Sequence, residues 1–263
     1  MRVLLMCLLL AASTLAQAEI KTQELHYKDL KGTPLVGYFA YDDAIQGPRP
    51  GVVVVHEWWG LNDYAKGRAR ALAALGYSAL AIDMYGDGKN TEHPKDAMAF
   101  MQEASANAEV SSARFDAGVK LLKQQPQTDA KKIAAIGYCF GGTVVLNAAR
   151  HGATLAGVVS FHGGLAAKTR ATKGSVKTPI LVEHGELDSM STAKDVADFK
   201  TEMSTAGVNY QFVVQPGAKH GFTNPDADRL AHGDHGGPDI GYNKEADEKS
   251  WADMQVFLKK VFE

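Results

Sequence analysis

Apolar residues along this chain follow two rhythms. Short unbroken runs at residues 51–56, 78–82, 133–138, 158–161, 180–184 and 210–214 have the length and continuity of strands covered on both faces. Between them, residues 63–75, 94–104, 109–123, 193–206 and 244–262 place their apolar positions at helical spacing, and Gly76 is suited to end the first of these helices. Ahead of the first run, residues 24–28 and 34–40 read as two strands joined through Asp29-Leu30-Lys31-Gly32, an N-terminal hairpin, and Pro48-Arg49-Pro50 breaks the chain after it. Strands that alternate with helices predict an α/β fold, a mostly parallel sheet with helices on both faces in one domain. Residues 231–242, rich in glycine and histidine, read as a long irregular surface loop.

The first 18 residues stand outside this pattern. Arg2, an apolar stretch over residues 3–12 and Ala16-Gln17-Ala18 have the form of a cleavable export signal, with cleavage expected before Glu19 and an exported, periplasmic location for the rest. The apolar stretch is too short to span a bilayer. Without Arg2, 27 basic residues face 30 acidic ones, a net charge of −3 over the remaining 245 residues. That balance offers no electrostatic case for nucleic acid or acidic lipid. Cleavage would also remove Cys7, leaving Cys139 as the one cysteine and excluding an intramolecular disulfide.

Cys139 sits in Gly137-Tyr138-Cys139-Phe140-Gly141-Gly142, between an apolar strand and a helix-forming run. Such a glycine-flanked turn is the form of a nucleophile elbow, in which a strained bend lifts one side chain above the sheet. Taken alone, the elbow leaves a buried structural cysteine equally open. What weighs on the choice is the set of groups that follow other strands, because function in such sheets gathers at the strands' carboxyl ends. The strand at 180–184 runs into Gly185-Glu186-Leu187-Asp188, where Asp188 is better placed than Glu186 to reach a neighbouring loop. The last strand runs into Pro216-Gly217-Ala218-Lys219-His220. Nucleophile, acid and histidine in the order Cys139, Asp188, His220 follow the α/β-hydrolase arrangement. A thiol needs a base to become the nucleophilic thiolate, and an acid fixes the tautomer of that base. The amide of Phe140, at a helix start, is one candidate donor to an oxyanion. The strand at 51–56 leaves the sheet through His56-Glu57-Trp58-Trp59-Gly60-Leu61-Asn62, in the place where this fold supplies a second donor.

Together His56-Glu57-Trp58-Trp59-Gly60-Leu61-Asn62, Asp83-Met84-Tyr85, the Cys139 elbow, His184-Gly185-Glu186-Leu187-Asp188 and Pro216-Gly217-Ala218-Lys219-His220-Gly221-Phe222 resemble the dienelactone hydrolase (carboxymethylenebutenolidase) family. The resemblance implies an α/β-hydrolase fold and a cysteine hydrolase that cleaves an ester or lactone through a thioester. Cys139, Asp188 and His220 would form the triad, and Glu57 would help generate the thiolate. The amides of Trp58 and Phe140 would line the oxyanion hole, with Trp59, Tyr85 and Phe222 around the substrate. No metal or organic cofactor is implied. Two positions depart from the family. Where dienelactone-cleaving members carry arginines that grip the substrate carboxylate, this chain has Asp87 and Asn224. Loss of those cations weakens the case for an anionic substrate, unless Lys89 or Arg229 compensates.

Three other readings remain at this point: a ligand-binding protein without catalysis, a metal site at His232-Gly233-Asp234-His235, and a redox role for the lone thiol. A glycine-rich loop is a poor frame for a metal, and the chain offers Cys139 no resolving cysteine once Cys7 is removed.

Overall fold

A computed structural model describes residues 19–231 and 238–263. Its centre is one eight-stranded sheet in the order β1-β2-β4-β3-β5-β6-β7-β8. The hairpin strands β1 (Ile20–Lys28) and β2 (Pro34–Asp42) are antiparallel, and β2 joins β4 (Ser78–Ile82) antiparallel. From β4 onward through β3 (Arg49–Val55), β5 (Thr128–Tyr138), β6 (Val158–Phe161), β7 (Ile180–Gly185) and β8 (Tyr210–Gln215) every pairing is parallel. This is the α/β-hydrolase arrangement, and it points the carboxyl ends of six strands to one edge.

The continuous apolar runs are explained by burial on both faces. Val53 and Val55 face a core formed with α3 (Ala108–Lys123), α4 (Phe140–Arg150) and α5 (Ala193–Ala206). Val52 and Val54 face the opposite core, built with α1 (Asp63–Ala74) and α7 (Lys244–Phe262). A period of two therefore splits one apolar run between two layers. Asn62, the last residue of the tryptophan-bearing loop, caps α1 by accepting from the Ala65 amide.

Several boundaries differ from expectation, beginning with β1, which starts at Ile20 rather than residue 24, and β2, which runs on to Asp42. Pro48-Arg49-Pro50 does not break the chain outright, because β3 begins at Arg49 and takes in Pro50. A register shift between Pro50 and Gly51 accommodates the missing donor. β5 starts five residues earlier than its apolar run, since Thr128 and Asp129 pair with Arg49 and Pro50 at the sheet's lower edge, where no second apolar layer is needed. Finally, Ala227–Ala231 forms a short helix, α6, of five residues, too few to show a period. α2 (Pro94–Ser105) begins where its proline predicts.

Candidate active site

The edge formed by the strand ends gathers all four proposed catalytic side chains. At the end of β5 the backbone of Cys139 takes φ 52° and ψ −115°, a left-handed conformation that costs a non-glycine residue about 1–3 kcal/mol. The bend is possible only because its neighbours lack side chains. A Cβ on Gly137 would lie 2.1 Å from the carbonyl oxygen of Gly141, and one on Gly141 would lie 2.2 Å from that of Val55. The thiol of Cys139 itself remains half-buried.

Asp188, after β7, and His220, after β8, meet as the sequence order predicts. Nδ1 of His220 lies 2.9 Å from Oδ2 of Asp188, with both residues buried. The second carboxylate oxygen of Asp188 accepts from the Met190 amide at 2.9 Å, so the acid is held from both sides. Nε2 of His220 is buried and has no hydrogen-bond partner among the described residues, which leaves it for a reacting group. Burial opposes a charge on this imidazole, but the charge of nearby Cys139 and the Asp188 bond outweigh it and push His220 up to about 10.

Glu57 leaves β3 and is also buried. Desolvation pushes its carboxyl up to about 7, against an opposing hydrogen bond from Asn224 and the charge of His220. That bond runs from Nδ2 of Asn224 to Oε2 of Glu57 at 2.6 Å, and Asn224 is itself buried. Asn224 is thus engaged with Glu57 through one N–H of its amide. The loop is shaped by a second buried histidine. The Met84 amide donates to Nε2 of His56 at 3.2 Å, so Nδ1 carries the proton and donates to the Glu57 carbonyl at 2.5 Å.

Neither the Trp58 N–H nor the Phe140 N–H has an acceptor among the described residues. Phe140 opens α4, where the first amides of a helix have no partner within it. The Trp58 loop is tied down by the Tyr85 hydroxyl, which donates to the Trp58 carbonyl at 3.0 Å. Tyr85 is in turn placed by Asp83, whose carboxylate accepts from the amides of Tyr85, Gly86, Gly88 and Val36 at 2.7, 2.8, 2.8 and 3.3 Å.

The three expected pocket residues are all buried. Trp59 is 1% exposed and packs with Ala97, Ala227, Leu230 and Ile240, while Phe222 is 0% exposed and stands edge-on to the ring of His162. Phe222 is a core residue, whereas Trp59 also borders a cavity that Asn62, Asn224 and Arg229 share. Tyr85, 3% exposed, packs against His56 and Phe140 and acts on the site through its hydroxyl. The half-buried aromatic of this loop is Trp58. The suggested substitute cations are also engaged. Arg229 makes two hydrogen bonds to Glu92, at 2.8 and 2.9 Å, and Lys89 sits 5.9 Å from the ring centre of Phe100. Asp87 is exposed in a turn whose amide donates to the Pro34 carbonyl.

Sequence reasoning missed His162. It directly follows β6, it is fully buried, and its Nδ1 accepts from the Cys139 amide at 3.1 Å. A histidine at a fourth strand end, within Phe161-His162-Gly163-Gly164, was the available signal. His232 and His235 lie outside the described residues. Among the described residues no group of three or more His, Cys, Asp or Glu could hold a metal, and no helix is long and apolar enough to cross a membrane.

A profile of the dienelactone hydrolase family matches residues 35–262. The chain belongs to that family. This dienelactone hydrolase family member is 32% identical over 180 residues to a candidate carboxymethylenebutenolidase of Aquifex aeolicus, covering 66% of this chain and 77% of the relative. It is 30% identical over 192 residues to a candidate 2-oxo-3-(5-oxofuran-2-ylidene)propanoate lactonase of Bradyrhizobium, covering 68% and 75%. Among solved structures, a dienelactone hydrolase-like promiscuous phosphotriesterase from metagenomic libraries superposes with a TM-score of 0.85 at 36% identity, over 93% of this chain and 99% of that one. The protein is an ester or lactone hydrolase of this family.

Proposed function

We propose that the enzyme cleaves a neutral carboxylic ester or lactone by nucleophilic catalysis at Cys139. The observation that carries this reading is the buried Asp188–His220 pair, 2.9 Å apart, whose unpartnered Nε2 belongs to a histidine raised by the charge of Cys139. The thiolate attacks the acyl carbon, forming a C–S bond, while the charge moves to an oxygen that the Trp58 and Phe140 amides receive. His220 gives its proton to the departing alkoxide as the C–O bond breaks, leaving a thioester. Neutral His220 then takes a proton from water, the hydroxide displaces Cys139, and the acid product leaves. Asp188 holds the imidazole tautomer throughout. Glu57, which ionises near neutrality and feels the charge of His220, adds a second proton acceptor for forming the thiolate.

Preference for neutral substrates follows from the groups present. The two positions that hold cations in dienelactone-cleaving relatives are an exposed aspartate and an asparagine already bonded to Glu57. Rapid-quench assays with p-nitrophenyl acetate are expected to show a burst equal to the enzyme concentration and an acyl label on Cys139 by mass spectrometry. Cys139→Ala should abolish both, and unchanged turnover in that variant would sink the reading. A panel of neutral and carboxylate-bearing esters and lactones, with a neutral phosphotriester added because of the metagenomic relative, tests the preference. We also propose that residues 1–18 direct export. Cell fractionation with N-terminal sequencing should find a mature chain that starts at Glu19 outside the cytoplasm.

A further inference from the structure

His162 takes no part in the reaction just described, yet it is buried at 0% exposure in the middle of the site. We propose that His162 is a positioning residue whose two ring nitrogens fasten the nucleophile elbow to the loop that carries His220. The inference rests on the assignment of Cys139 as nucleophile and His220 as its base.

The hydrogen bonds allow one tautomer. The Cys139 amide donates to both the Phe161 carbonyl, at 3.0 Å, and Nδ1 of His162, at 3.1 Å. An accepting Nδ1 carries no proton, so the proton is on Nε2. Nε2 then donates to Oγ1 of Thr223 at 2.8 Å. Thr223 lies three residues beyond His220 on the same loop, and it is firmly held. Its hydroxyl lies 2.6 Å from that of Tyr64, and its carbonyl accepts from Arg68 at 2.6 Å. One imidazole therefore spans from the backbone of the nucleophile to the anchor of the base.

The ring has little freedom to do anything else. It stands edge-on to His220 with ring centres 5.1 Å apart, and edge-on to Phe222 at 5.2 Å. Its backbone takes φ 40°, a left-handed conformation that persists in a non-glycine residue only where the surroundings hold it. The His162 amide supplies one such hold by donating to the Glu183 carbonyl at 2.8 Å. A protonated His162 could no longer accept from Cys139. Burial, reinforced by the charges of His220, Arg68 and His184, keeps its pKa well below the usual value. His162 accordingly acts as a neutral strut, and it relays no proton.

The two nitrogens can be tested separately, because asparagine places an acceptor near Nδ1 and glutamine places an amide near Nε2. His162→Asn, His162→Gln and Thr223→Val should each lower kcat on the order of 10²-fold, with KM within about threefold of wild type, since small displacements between reacting groups carry costs of that size. Thr223→Ser, which keeps the hydroxyl, should retain most of the activity. Combining His162→Asn with Thr223→Val should cost little more than either alone, because both cut the same link. Alkylation of Cys139 by iodoacetamide, followed against pH without any substrate, should move to higher pH in His162→Asn and Thr223→Val. A role in folding alone would lower the folded fraction and leave the alkylation profile and per-molecule kcat unchanged. That result, multiplicative losses in the double variant, or equal losses in Thr223→Ser and Thr223→Val would overturn the proposal. If the His162 variants do not fold, the Thr223 pair decides it. Activity surviving in Cys139→Ala would instead remove the nucleophile assignment beneath it.

Discussion

Two glutamates in this enzyme have nearly the same chemistry and different surroundings. Glu57 and Glu183 are both buried, and each accepts one hydrogen bond of 2.6 Å from a primary amide, Asn224 and Gln215 respectively. Desolvation raises both, Glu57 to about 7 and Glu183 to about 8. Glu57 sits at a strand's end and feels the charge of His220, whereas Glu183 lies within β7 and feels Asp253 and Lys249 of α7. A raised carboxyl is therefore not in itself a mark of catalysis. What distinguishes Glu57 is its place at the edge where the strands deliver Cys139, Asp188 and His220.

The sharpest way to break this contrast is to neutralise each acid. Glu57→Gln should lower kcat on the order of 10²-fold and remove the rise in rate through pH 7, the scale of general acid–base contributions. Glu183→Gln should leave kcat within about twofold. Steady-state pH profiles from 5 to 9 measure both, and a larger loss from Glu183→Gln would invert the comparison. Removing the amide partner is milder. Asn224→Leu deletes a bond that favours the ionised form, so the rise should move above pH 7, with kcat several-fold low at pH 7 and recovering near pH 9.

Stability should show the reverse ranking. A carboxyl whose folded pKa is raised binds more protons in the native state than in the unfolded one. The stability it contributes is full below about 4.5 and lost as pH rises through the folded value, which for Glu183 is about 8. Urea melts at pH 5 and pH 8.5 should therefore show a fall that Glu183→Gln reduces by on the order of 2 kcal/mol. Glu57→Gln should reduce it less, because its window closes near 7. The smallest effect is expected at Arg229. With its guanidinium bound to Glu92, Arg229→Ala should leave KM for carboxylate-bearing esters within about twofold.

Much of this fold is written in local pattern. β4, β6, α5 and α7 begin and end where their apolar rhythm does, because each lies between layers that demand that rhythm. The polar start of β5 carried no such mark. At the site, the order of Cys139, Asp188 and His220 was legible because topology fixes it. The Asn224–Glu57 bond joins residues 167 positions apart, and no spacing rule points to it. The tandem tryptophans show the same limit. Adjacent side chains diverge, and only the packing of α2 and α6 against Trp59 decides that Trp58 keeps the open side.

The hairpin at the sheet's far edge has a consequence for chemistry. The Val36 amide of β2 is one of the four that Asp83 gathers, and Tyr85, held by the same carboxylate, grips the Trp58 carbonyl. The proposed oxyanion donor is thus braced from the first thirty-odd residues of the chain, a foundation laid well away from the proposed site of reaction. Trimming β1 and β2 would leave all four proposed catalytic side chains in the polypeptide and still loosen the loop that carries the proposed oxyanion donor.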